Sequence, residues 1–147
     1  MSATITLTND IAEVQRLKTF FAEYAQAHDF SQEFILDMNL VFEEVVSNII
    51  FYGYNERTKQ PRIDIDIQHE TETLTIVISD DATPFNILEA PEPDLDIPFE
   101  DREIGGMGIH LVKTLMNELE YALIDGRNIL TMRKSLGPLR SDESKET

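Results

Sequence analysis

Apolar residues recur along this chain with two periods, and the places where the period changes mark its elements. "ATITL" (3–7) alternates apolar and polar residues, as a short strand with one buried face does. From residue 9 to 30, Ile11, Val14, Leu17, Phe20, Phe21 and Tyr24 fall at helical spacing, with Asn9 or Asp10 available as N-cap. Ser31 caps a second predicted helix. Its apolar stripe is Phe34, Ile35, Met38, Val41, Phe42, Val45 and Ile49, and it ends where Gly53 and Asn55 interrupt the pattern. "RIDIDIQ" (62–68) and "TLTIVIS" (73–79) alternate strictly, and the four residues "HETE" between them predict a hairpin.

From Asp80 to about Glu103 both periods vanish in a stretch rich in proline and acids. Loops of that length inside a compact domain are uncommon and usually functional or disordered. Order returns with Gly105, Gly106 and Gly108 and a predicted helix over 107–119, whose apolar face includes Ile109, Val112, Leu115 and Met116. Residues 120–134 read as a closing hairpin around Asp125-Gly126, and 135–147 as a disordered tail. The order β-α-α-β-β-loop-α-β-β predicts an α+β fold, a two-layer α/β sandwich with helices on one face of a mixed, largely antiparallel sheet.

Composition narrows the partners more than the fold. The 147 residues suffice for one domain, 1–134, with an ordinary hydrophobic fraction of 41%. Twenty-eight acidic residues stand against 12 basic ones, for a net charge of −16. Such a surface repels phosphate backbones and anionic lipid, and no Lys/Arg cluster offsets it, so neither nucleic acid nor a membrane is expected as partner. The chain has no cysteine, and His28, His69 and His110 show no ligand spacing, which excludes disulfides and the usual zinc patterns. "MSATITLTND" lacks the basic start and apolar stretch of a signal peptide, and no apolar run approaches the ~20 residues that span a bilayer. A cytoplasmic protein is expected.

Three stretches carry candidate chemistry. In "FEEVVSNII" (42–50), Glu44 and Asn48 are four apart, so they share a helix face at the edge of the apolar stripe. A solvated surface pair explains that spacing as well as a magnesium site does, the amide acting as a hard oxygen ligand and the carboxylate as a base. In "ISDDATPFN" (78–86), a β-branched strand runs into two acids, a placement that suits either a turn or a carboxylate accepting from a ligand's amino group. Finally, "IGGMGIHLVK" (104–113) puts three glycines against a helix start, where free N–H groups favour an anion. One glycine would serve a tight turn; three exceed that need. No Gly-Lys-Ser/Thr follows, and no strand leads in, so neither the P-loop nor the dinucleotide pattern applies.

In this order the three stretches resemble the GHKL ATPase superfamily, with its Bergerat-type fold. The chain looks most like the small bacterial anti-sigma-factor serine/threonine kinases, on the strength of "EEVVSNIIFYGY", "DDATPFN" and "GGMGIHLVKTLMNELEY". The resemblance implies that Asn48 holds Mg²⁺ against ATP phosphates and that Glu44 is the catalytic base. It implies that Asp80 accepts from the adenine amino group, with Ala82 beside it. Gly105, Gly106, Met107 and Gly108 would meet the phosphates, Thr131 would join the adenine side, and residues 86–105 would form an ATP lid. The implied partners are an antagonist protein bearing a phosphorylatable Ser or Thr, and a sigma factor. A homodimer through the N-terminal strand and the sheet is among the arrangements the resemblance allows.

Two residues depart from the family pattern. Ala82 stands where the first box usually has glycine, which would cost about 1–2 kcal/mol if that position needs a positive φ. Tyr52 stands where the closer relatives often have histidine. The kinase reading therefore has an alternative, an ATP-responsive binding module that works by partner exchange with little or no phosphoryl transfer.

Overall fold

The computed structural model describes residues 2–54, 61–89 and 106–137. Its elements are β1 (Ser2–Leu7), α1 (Glu13–Ala27), α2 (Gln32–Asn48), a π-helical turn (Ile49–Gly53), β2 (Ile63–Glu70) and β3 (Thr73–Asp80), followed by a 3₁₀ turn (Ile87–Glu89), α3 (Gly106–Leu115), β4 (Glu118–Ile124) and β5 (Arg127–Ser135). The strands form one sheet in the order β1-β2-β3-β5-β4. All four pairings are antiparallel, so the parallel neighbour that a mixed sheet would require is absent among the described residues.

Register explains the core. Ile5, Ile65, Ile78 and Leu130 form one row across the sheet, and Ile67, Ile76 and Met132 form the next. All seven are buried, in a cluster that includes Leu17 and Phe21 of α1 and Met38, Val41 and Phe42 of α2. Burying one isoleucine contributes roughly 2 kcal/mol. A slip of one residue in β2 would turn Ile63, Ile65 and Ile67 outward together, so the alternation enforces the register. The other face carries Asp64, Asp66, Val77, Ser79 and Thr131, none of them buried.

Local chemistry sets the element ends. Ser31 Oγ accepts from the Phe34 N–H at 3.1 Å, the N-cap expected for α2. Asp125 and Gly126 have φ of 51° and 79°, the two left-handed residues of a two-residue hairpin turn. Helix α1 starts later than its apolar spacing predicts. Asp10 Oδ1 takes the Ala12 N–H at 2.9 Å and Glu13 Oε1 takes the Thr8 N–H at 3.1 Å, so residues 8–12 form a turn and Ile11 stays exposed.

Helix α3 stops at Leu115, four residues short of expectation. Asn117 N donates to Arg133 O at 2.9 Å and Glu118 pairs with Arg133, so hairpin pairing takes over the last residues assigned to the helix. Lys134 Nζ meets the Leu115 carbonyl at 2.6 Å, supplying a cation where the helix dipole favours one. The 3₁₀ turn falls within the stretch expected as lid. Ile87 is buried and Lys113 Nζ donates to Leu88 O at 3.3 Å, so residues 87–89 are packed onto the body. Residues 90–105, and the tail from 138 on, lie outside the described residues.

Candidate functional site

The carboxyl end of β3 meets the end of α2. β3 delivers Asp80 in phase with Leu74, Ile76 and Ile78, so its carboxylate faces the helices and is only 4% exposed. An uncompensated charge there would be expensive. Two donors converge on one oxygen: Ala82 N at 3.0 Å and Asn128 Nδ2 at 2.9 Å both bond Oδ1. Among the described residues, Oδ2 accepts no hydrogen bond. Burial pushes the Asp80 carboxyl above its ordinary range, and the Asn128 hydrogen bond offsets part of that rise.

Asn128 was not anticipated. It pairs with Asp80 in register and is 7% exposed. Its signal lay in the alternation of β5: Asn128 shares phase with buried Leu130 and Met132, so an amide occupies a position the pattern reserves for the core. The same phase argument removes Thr131 from this group. Thr131, expected on the adenine side, pairs with Val77 on the sheet face turned away from the helices, opposite to the face of Asp80.

Glu44 and Asn48 lie one turn apart in the last third of α2, both half-buried. Burial raises the Glu44 carboxyl, and the neighbouring Glu43 charge raises it further. Glu43 itself is bound by Lys18 Nζ at 2.8 Å, whereas Glu44 forms no hydrogen bond or ion pair among the described residues. The Asn48 amide is also unspent, and its Nδ2 is buried without a partner. Buried amides in native proteins are nearly always bonded, so this N–H is open to an acceptor; as a donor it would not itself hold a cation. No three His, Cys, Asp or Glu gather as a metal cage among the described residues. One amide oxygen with waters and phosphates is instead the donor set that suits magnesium, so the residues present fit that ion.

The two halves are joined at Gly53. Thr83 N donates to Gly53 O at 2.9 Å, and a Cβ built on Gly53 would lie 2.8 Å from the Ala82 Cβ. Helix α2 reaches this contact through the π-helical turn, a rare local widening that tends to occur at functional sites. Positive φ among the described non-glycine residues occurs only at Asp29 and Asp125. Ala82 therefore carries no left-handed strain, and the cost anticipated for it does not arise. Tyr52 is 60% exposed on the π-helical turn.

Gly106, Met107 and Gly108 form the first turn of α3 rather than a loop before it; Gly105 lies outside the described residues. A first turn leaves backbone N–H groups without helical partners, which suits an anion. α3 packs against α2, the helix that carries Glu44 and Asn48.

Known proteins share this fold. The sequence matches the model of the histidine kinase-like ATPase domain family over residues 7–134. It is 23% identical over 118 residues to the serine-protein kinase RsbW of Bacillus mycoides and 25% identical to that of Bacillus cereus, covering 78% of this chain and 72% of each relative. Among solved structures, it is similar to the RsbU and RsbW domains of Rv1364c from Mycobacterium tuberculosis, with a TM-score of 0.66 at 14% identity. That likeness covers 91% of this chain and 32% of the other, so the chain spans about a third of that protein. The histidine kinase AdeS of Acinetobacter baumannii aligns with a TM-score of 0.50 at 14% identity. These likenesses establish the α+β fold.

Proposed function

The chain belongs to the histidine kinase-like ATPase domain family, and on that premise we propose that it binds Mg-ATP and phosphorylates a serine or threonine of a small antagonist protein. A domain of this family implies ATP binding, and serine-protein kinases are among its relatives. One observation carries the reading: Asp80 is buried with one oxygen doubly bonded inside the fold and the other unspent. A free acceptor oxygen on an otherwise buried carboxylate is suited to an exocyclic amino group.

The chemistry follows from what the remaining side chains can hold. Magnesium, held by the Asn48 amide oxygen, would neutralise phosphate charge. The first-turn N–H groups of α3 are suited to the phosphate oxygens. Glu44, more basic than an ordinary carboxylate and unpaired among the described residues, takes the proton of the substrate hydroxyl. The hydroxyl oxygen then bonds the γ-phosphorus, the bond to the β–γ bridging oxygen breaks, and ADP leaves with that oxygen. Positioning and charge do most of the work in such transfers. The protein would act in the cytoplasm, alternating between its antagonist and a sigma factor.

The binding-module alternative rested partly on strain at Ala82, and that support is gone. Incubation with γ-phosphate-labelled ATP and purified candidate antagonists separates the two readings. Label moving to a serine or threonine, and failing to move with Glu44→Gln, is expected. ATP bound without transfer to any candidate, together with unimpaired signalling by Glu44→Gln, would leave the binding module.

A further inference from the structure

Asn128 uses its whole side-chain amide inside the protein. Its Nδ2 donates to Asp80 Oδ1 at 2.9 Å, to Thr83 O at 3.1 Å and to Ala82 O at 3.4 Å. Its Oδ1 accepts from Phe85 N at 3.0 Å and from the Tyr121 hydroxyl. Asp80 and the two carbonyls only accept, and the Phe85 N–H only donates. The amide therefore has one possible orientation, which its partners over-determine. Nothing of it is left for a ligand.

These bonds converge on two things a base pocket needs. They fix the plane of the Asp80 carboxylate, and so the direction in which its second oxygen points. They also hold residues 82–85 against the end of β5, where the chain leaves β3. Tyr121 reaches the same amide from β4, the strand on the far side of β5. A network of this kind is worth more than its separate bonds, because each member restricts the others.

We propose that Asn128, steadied by Tyr121, is a positioning residue that makes Asp80 selective for purines with a 6-amino group without itself touching the nucleotide. The proposal rests on the ATP-binding reading above. Without Asn128, the Asp80 carboxylate keeps only the Ala82 N–H bond and its plane is free to turn. The acceptor is then no longer held in the direction of the base, while the rest of the pocket remains.

The test compares ATP with inosine triphosphate, which carries a 6-oxo group in place of the amino group. Affinities are measured by isothermal titration for the whole chain, for Asn128→Ala and for Tyr121→Phe, with melting temperatures taken alongside. The wild type is expected to favour ATP by about tenfold or more. In Asn128→Ala the ATP affinity should fall to that of inosine triphosphate, whose own affinity stays unchanged. Tyr121→Phe should narrow the preference by about fivefold, one neutral hydrogen bond's worth, and it carries the test if Asn128→Ala does not fold. Equal weakening of both nucleotides, with the ratio kept, would mean a merely structural role and overturn the proposal. A wild type that binds both equally would overturn it while leaving ATP binding intact. A wild type that binds neither would overturn the ATP reading and this proposal with it.

Discussion

Gly53 and Ala82 divide a single space: a Cβ added to Gly53 would lie 2.8 Å from the Cβ of Ala82, closer than two non-bonded carbons sit. The methyl of Ala82 therefore occupies room that Gly53 leaves empty, at the point where Thr83 N bonds Gly53 O. Gly53→Ala should force the 81–86 segment away from the π-helical turn and destabilise the protein by about 1–3 kcal/mol, the usual effect of overpacking. Adding Ala82→Gly should restore most of that loss, and chemical denaturation of the four variants measures the coupling. Simple additivity of the two changes would show that the residues do not share the space.

Asp80→Asn should separate function from stability. The new side-chain oxygen can still accept from Ala82 N and Asn128 Nδ2, but the amino group replacing Oδ2 cannot accept from a base. Because burial raises the Asp80 carboxyl in the folded state, the folded protein holds that proton more tightly than the unfolded chain does. The associated stability is fully present below the ordinary unfolded value of about 3.9 and is lost as pH rises through the raised one. At neutral pH the ionised carboxylate thus lowers stability. Asp80→Asn should melt at the same temperature or higher near pH 7 and bind no ATP; a lower melting temperature would contradict the sign.

Much of this was legible from spacing alone. The Ile63, Ile65, Ile67 alternation, the α2 stripe, the Ser31 cap and the Asp125-Gly126 turn are local signals, each fixed by residues a few positions apart. The misses needed contacts between distant segments. Ile11 continues the helical spacing but falls in a turn held by Asp10 and Glu13. Leu119 continues the α3 stripe but lies in β4, paired with Met132 of β5. Thr131 and Asn128 differ only in phase along β5, and reading that phase would have placed Asn128 beside Asp80.

Glu44 must be ionised to take a proton, so phosphoryl transfer should rise with pH through its raised value, above the ordinary carboxylate range. Glu43→Gln removes the like charge that adds to the effect of burial, and should move the acidic limb of the rate profile to lower pH. Glu44→Gln should lower the rate by about 10²–10⁴-fold while ATP still binds. A rate profile unmoved by Glu43→Gln would argue against Glu44 as the base.

Asn48 has an orphaned buried amide nitrogen, so Asn48→Leu should cost the fold little or nothing and remove a desolvated polar group. ATP binding should survive in weakened form, but the gain on adding magnesium should disappear. Titration with and without the ion reads this directly. A magnesium effect of undiminished size in Asn48→Leu would place the ion elsewhere.

The most direct test is calorimetric titration of the purified chain with ATP, in the presence and absence of magnesium, with Asp80→Asn as control. Saturable binding that tightens with magnesium and vanishes in the variant is expected from a pocket built on Asp80 and Asn48. No heat with ATP, and none with ADP, would contradict nucleotide binding by this fold and leave it as a surface for protein partners.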